Sequence, residues 1–280
     1  AAFEENPATA ISQETWEKIR SRTKGYESIR VYFVERLAQS VAQLANAVYP
    51  RPIIVRLSDF KTNEYRQLLG GEKYEPREEN PMLGWRGASR YYHPAYRPAF
   101  FLECEAMRIA REELGFSNIK LMIPFCRTPE EGRRVLQVME EAGLPKGRNG
   151  VEVGMMVEIP SNVIMAEEFG EIFDFFSIGS NDLTQLVFGL DRDNEMIVSV
   201  ADERHPAMLR FLAELFERTR RVGIPVGICG QGPSLYPELT QFLVDQGIDS
   251  ISVMPDAIPR TIEIIASING RKDSKEDNFV

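Results

Sequence analysis

Three kinds of side chain recur where apolar runs of this sequence break, and together they suit chemistry on a small anion. Carboxylates stand at Glu158, near the end of VEVGMMVEIP, and at Asp182, just past the break in FFSIGSNDLTQ. Two acids with open positions left for water and substrate oxygens form the donor set that Mg2+ takes, with Mn2+ as a substitute. Arginines stand at Arg56, ending the run Ile53–Leu57, and at Arg86 in PMLGWRGASR. A guanidinium fork binds carboxylate or phosphate bidentately. A thiol, Cys229, lies in PVGICGQGPS between Gly227 and Gly230, where small neighbours leave room for a proton-transfer role. Each has a plainer reading. The acids could be spent in ion pairs with the arginines, and Asn181 or Asp182 could cap a helix. A lone arginine usually makes a surface pair, and most buried cysteines are inert. Five element ends carrying matching chemistry favour a site over five coincidences.

The elements that must position these groups follow from periodicity. Ser28–Tyr49 reads as an amphipathic helix, with Ile29, Phe33, Leu37, Val41, Leu44 and Val48 at three- and four-residue steps. Strands are expected near residues 53, 84, 119, 151, 175, 225 and 250, with Arg86 near the end of the second. Period-two alternation puts Glu152, Gly154, Met156 and Glu158 on one side of theirs. Helices are expected over 97–114, after Thr128-Pro129, over 160–169, 206–222, 236–246 and 256–268. Strand alternating with helix means parallel strands joined by crossovers. The fold class is therefore α/β, a (β/α)8 TIM-type barrel that lacks its first strand in this chain, and barrels of this kind keep their sites at the carboxyl ends of the strands. Residues 1–27 read as an irregular amino-terminal segment, 28–268 as the barrel, and 269–280 as a charged flexible tail. Either Ala1–Ala10 pairs irregularly in place of the first strand, or the chain is a piece of a longer polypeptide; the second is favoured.

Composition narrows the function classes. The 280 residues are 43% hydrophobic and 27% charged, enough for a full core. A formal net charge of −9 with no basic block argues against nucleic acid as a partner. No apolar run approaches a membrane span. Cys104, Cys126 and Cys229 make neither a metal-ligand spacing nor a disulfide framework, which suits a reducing cytoplasm. Cys104 and Cys126 read as structural, and His93 and His205, each before a proline, as loop or helix-entry residues.

VRLSDFKTNEY (55–65), ENPMLGWRG (79–87), MIPFCRT (122–128), VEIPSN (157–162), SIGSNDLTQL (177–186), GLDRD (189–193) and GICGQGPS (227–234) resemble, in combination, the carboxy-terminal barrel of the phosphoenolpyruvate synthase (pyruvate, water dikinase) family. The resemblance runs from about Ser28 to Ser267. It implies a gluconeogenic phosphotransferase that converts pyruvate, ATP and water to phosphoenolpyruvate, AMP and phosphate. Glu158 and Asp182 match the Mg2+ ligands, and both also face substrate. Arg56 matches the principal substrate-binding arginine and Arg86 a second. Gly179, Ser180 and Asn181 match the turn that contacts substrate, and Cys229 the general acid/base at the methyl carbon.

The resemblance further implies partners: a swivelling phosphohistidine domain, an ATP-binding domain, and a second copy joined through the barrel as a homodimer. The first barrel strand with its own arginine, the phosphocarrier histidine and the nucleotide-binding portion have no counterpart in the 280 residues, so turnover with ATP is not expected of them alone. Pyruvate phosphate dikinase, enzyme I of the sugar phosphotransferase system, a carbon–carbon lyase acting on an oxo-acid, and a non-catalytic dimerisation module stay open as alternatives.

Overall fold

Ser28 starts the longest of the early helices by accepting the Val31 N–H on its hydroxyl. That helix, Ile29–Val48, buries Val34, Ala38, Val41, Ala42 and Ala45. The expected stripe is thus corrected. Only Val41 of it is buried, and Phe33 and Leu44 remain 42% and 66% exposed. Small residues line the buried face because it packs against the helix Arg97–Arg108, and alanines let two helices approach closely.

The computed structural model describes residues 11–191, 194–200 and 202–276. The chain divides into two compact units: Ala1–Cys126 with Glu130–Val153, and Arg127–Pro129 with Gly154–Val280. In the first unit, helices α1 (Gln13–Arg22) and α2 (Ile29–Val48) precede strand β1 (Ile53–Arg56). Helices α3 (Thr62–Gln67), α4 (Ala88–Tyr91) and α5 (Arg97–Arg108), strand β2 (Ile119–Ile123) and helix α6 (Pro129–Glu141) follow. β1 and β2 are parallel, with Arg56 opposite Met122.

The second unit is a regular repeat. Strand β3 (Val153–Val157) leads to helices α7 (Pro160–Ile164) and α8 (Ala166–Gly170). β4 (Phe176–Gly179) runs straight into α9 (Ser180–Phe188), and α10 (Pro206–Val222) leads to β5 (Val226–Cys229). Helices α11 (Gly232–Leu235) and α12 (Pro237–Asp245), strand β6 (Ser250–Ser252) and helix α13 (Ile258–Glu276) complete it. β3, β4, β5 and β6 pair in that order, all parallel. Every residue of β3 and β4 is buried, as expected of strands covered on both faces.

Several expectations need correction. No strand forms near residue 84; Pro81–Arg86 is a turn and Gly87 leads into α4. Six strands, not seven, stand among the described residues. The amino-terminal segment is not irregular throughout, because Ser12 caps α1 by accepting the Thr15 N–H. The last helix continues through 269–276 rather than giving way to a flexible tail at 269. The expected helix over 160–169 is two short ones that meet at Met165. The alternatives for Ala1–Ala10 and the end of the GLDRD motif, residues 192 and 193, fall outside the described residues.

Candidate active site

In the second unit, strand register does the assembling. Val157 pairs with Ile178, and Gly179 pairs with Cys229. Glu158, one residue past Val157, therefore reaches the level of Gly179 and Cys229, and all three sit at carboxyl ends of neighbouring strands. Asp182 lies in the first turn of α9, where a carboxylate is favoured by the helix dipole. A carboxylate oxygen of Glu158 comes within 4.8 Å of one from Asp182. Both residues are buried, at 1% and 5% exposure. Two acids this close, both out of water, form a group that could hold a cation. A divalent ion with oxygen ligands fits that donor set.

Backbone shape clears the space. A Cβ on Gly179 would stand 2.9 Å from Glu158 Oε2 and 3.0 Å from Met156 Cγ. Gly230, at φ +136°, is in a conformation that side chains rarely adopt, and a Cβ there would meet Ser180 Oγ at 2.8 Å. The capping reading of Asn181 and Asp182 does not hold: Gly179 occupies the N-cap and no side chain caps α9. Asn181 is exposed while Ser180 is buried. Cys229 is half-buried, and its thiol lies 3.5 Å from the Ile178 carbonyl as a weak donor. Cys104 and Cys126 are fully buried, in keeping with structural roles.

The arginines belong to the first unit. Arg86 sits on the turn before α4, not at a strand end, and is 4% exposed. Its Nε and Nη2 donate to Asp59 Oδ1 and Oδ2 at 3.0 and 2.5 Å, and its guanidinium stacks 4.0 Å above the Phe125 ring. Asp59 thus holds the fork bidentately with its own side chain fully buried. Arg56, at the end of β1, keeps 48% of its side chain exposed and approaches the same Asp59 at 3.9 Å. Arg86 is thus engaged in a buried pair with Asp59, not in the surface pair usual for a lone arginine, and the Arg56 contact is marginal. Asp59 is the element that the two arginines share.

Residues outside the sequence-derived set support these groups. Asn162 is buried and accepts the Glu158 and Ile159 N–H groups on its Oδ1, at 3.2 and 3.1 Å. Glu103 accepts both the backbone N–H and the hydroxyl of Ser58, each at 2.9 Å. Tyr91 donates to the Ser58 carbonyl at 2.7 Å. Asp59 and Asn162 lie inside quoted motifs, RLSDF and VEIPSN, so a short polar side chain a few residues from each candidate was the available signal. Glu103, 45 residues from Ser58 along the chain, offers no such local signal.

Residues 15–270 match the family described as PEP-utilising enzyme, PEP-binding domain. The chain belongs to this family. Among curated PEP-utilising relatives, phosphoenolpyruvate synthase from Aquifex aeolicus is 56% identical over 87% of this chain and 28% of its own length. Phosphoenolpyruvate synthase from Aeropyrum pernix is 57% identical over 86% of the chain and 30% of its own length. The Synechocystis protein of the same name is 53% identical over 90% and 31%. The chain thus spans less than a third of the length of these relatives. No helix among the described residues is long and apolar enough to cross a membrane.

Proposed function

We propose that this chain is the pyruvate/phosphoenolpyruvate half of a phosphoenolpyruvate synthase, and that it acts with further domains of a longer polypeptide. The observation that carries the reading is the buried Glu158–Asp182 pair in a domain of the PEP-utilising family. The βα repeats of both units support a (β/α)8 TIM-type barrel as the complete domain. Three free cysteines support a reducing, cytoplasmic setting.

Glu158 and Asp182 would hold Mg2+, which when bound supplies Lewis-acid stabilisation of developing negative charge on the substrate oxygens. Arg56 and Arg86 would bind the substrate carboxylate and spread the charge of the phosphoryl group. The Gly179–Asn181 turn would contact the substrate, and Gly179, having no side chain, lets Glu158 lie close against that turn. Cys229, as thiolate, removes a proton from the methyl carbon of pyruvate, and the C–H electrons form the enol double bond. The enolate oxygen then attacks phosphorus while the N–P bond of a phosphohistidine, carried on a separate domain, breaks and leaves neutral histidine. In the reverse direction the Cys229 thiol returns its proton to that carbon.

Proton NMR of pyruvate in deuterated water, with the full-length polypeptide and Mg2+, tests this directly. Methyl-proton exchange should fall by about a hundredfold or more in Cys229→Ala. Phosphorylation of the carrier histidine by ATP should be unchanged in the same variant. Normal exchange in Cys229→Ala would move the acid/base role to another residue.

A further inference from the structure

Behind the arginines lies a buried polar network that the proposed chemistry does not use. Its centre is Glu103 on α5, 5% exposed. Glu103 Oε1 takes both Ser58 donors, while Oε2 has no hydrogen-bond partner. Tyr91 closes on the Ser58 carbonyl from the other side, so all three polar groups of Ser58 are engaged. Ser58 is the link between Arg56 and Asp59, and Asp59 holds Arg86. A shift at Ser58 must therefore move the guanidinium of Arg86 as well as the root of Arg56.

We propose that Glu103 is the positioning residue for both arginines, fixing the Ser58 turn so that their forks stand ready for an oxygen-rich anion, and that its ionisation sets how firmly the turn is held. The inference rests on the reading of Arg56 and Arg86 as substrate ligands. An ionised carboxylate makes charge-assisted bonds to the Ser58 N–H and hydroxyl, roughly twice as strong as those to a neutral acid. Burial pushes the Glu103 carboxyl up to about 7, against the opposing pull of the Ser58 bonds. The change of state thus falls near neutral pH rather than in acid.

The surroundings leave this titration isolated. From its own helix Glu103 faces Cys104, whose thiol is pushed up by burial. From α3 and the 91–96 region it faces Tyr65, Tyr91 and Tyr96, all held neutral because burial raises them. Arg90 and Asp59 act on the same tyrosines, and each has its own partner, Glu75 for Arg90 and Arg86 for Asp59. The buried face of α2 is apolar, and its Arg30 pairs with Glu105. The thiol and the three tyrosines are all held protonated by burial, so none of them shares this ionisation.

Two measurements on the chain test the proposal. Hydrogen exchange of the Ser58 amide should quicken by about tenfold or more in Glu103→Ala. Oxalate affinity in the presence of Mn2+ should rise several-fold for the wild type between about pH 6 and about pH 8, and stay flat in Glu103→Gln at the wild type's low-pH level. Should Glu103→Ala fail to fold, the Gln variant, equal in shape and without a charge to lose, decides alone. Unchanged Ser58 exchange in Glu103→Ala, or a wild-type pH dependence in Glu103→Gln, would overturn the proposal. An Arg86→Lys variant separates the two readings. If it binds oxalate normally while Ser58 exchange still responds to Glu103, the arginine assignment fails and the positioning role stands.

Discussion

A carboxylate oxygen of Glu158 and one of Asp182 lie within 4.8 Å of each other, and neither residue is more than 5% exposed. At that separation two full charges repel by roughly 3 kcal/mol at an effective dielectric constant of about 20. The pair, just past β3 and in the first turn of α9, is the donor set proposed for a divalent cation.

That repulsion makes a stability prediction for the metal-free chain. Asp182→Asn should raise its unfolding free energy by about 1–3 kcal/mol, since one of two opposed charges is gone. Mn2+ should stabilise the wild type, as any ligand of the native state does, and should leave the variant unchanged. Urea denaturation with and without Mn2+ checks both signs. Destabilisation by Asp182→Asn without metal would mean the carboxylate is held by protein cations instead.

The Asp59–Arg86 pair predicts the opposite response. Asp59→Asn leaves a guanidinium 4% exposed without its counter-charge, and such removals cost about 3–5 kcal/mol. Arg56→Gln, at a half-exposed pair 3.9 Å long, should cost less than about 1 kcal/mol. The two denaturation midpoints should therefore differ widely although both substitutions touch Asp59 contacts.

Gly179 gives a test of space alone. Its φ of −91° is open to any residue, so Gly179→Ala adds no backbone strain. The new methyl would meet Glu158 Cβ at 3.0 Å and Glu158 Oε2 at 2.9 Å. Overpacking of this kind costs about 1–3 kcal/mol, and here it displaces a proposed metal ligand. Mn2+ affinity should drop by about tenfold or more while the far-ultraviolet dichroism stays native. Unchanged affinity would show that Glu158 can give way without loss.

Glu103 carries a pH signature in stability as well as in binding. Its folded-state value, about 7 against an ordinary 4.5, means the native chain holds this proton more tightly than the unfolded chain. Its contribution to stability is therefore fully present below about pH 4.5, declines as pH rises toward about 7, and is lost above that, with a slope of at most about 1.4 kcal/mol per pH unit. Subtracting the stability curve of Glu103→Gln from that of the wild type should isolate this decline. A flat difference across the window would place the ionisation elsewhere.

Much of this was legible in the residues, and the misses share a physical cause. Strands β2 to β5 announce themselves as apolar runs, and the acids and thiol at their ends could be named because strand ends are fixed by where those runs stop. Pro81–Arg90 misled for the same reason in reverse. Its buried members include Arg86 and Arg90, held by Asp59 and Glu75, so its burial comes from ion pairs rather than from a pleated apolar face. On α2 the sequence marks large apolar residues, yet the buried stripe is mainly alanine, because closeness to α5 rather than hydrophobic mass decides which face turns inward. Glu103 could not be found at all without the fold, since its partner Ser58 is 45 residues away.

The central claim is that Glu158 and Asp182 hold a divalent cation through which an oxo-acid binds, and isothermal titration with oxalate, a planar stand-in for enolpyruvate, tests it most directly. Oxalate should bind at one site only when Mn2+ or Mg2+ is present, and affinity should fall by about a hundredfold in Glu158→Ala and Asp182→Ala and by about tenfold or more in Arg56→Ala. Oxalate binding that needs no metal, or that survives Asp182→Ala unchanged, would contradict it.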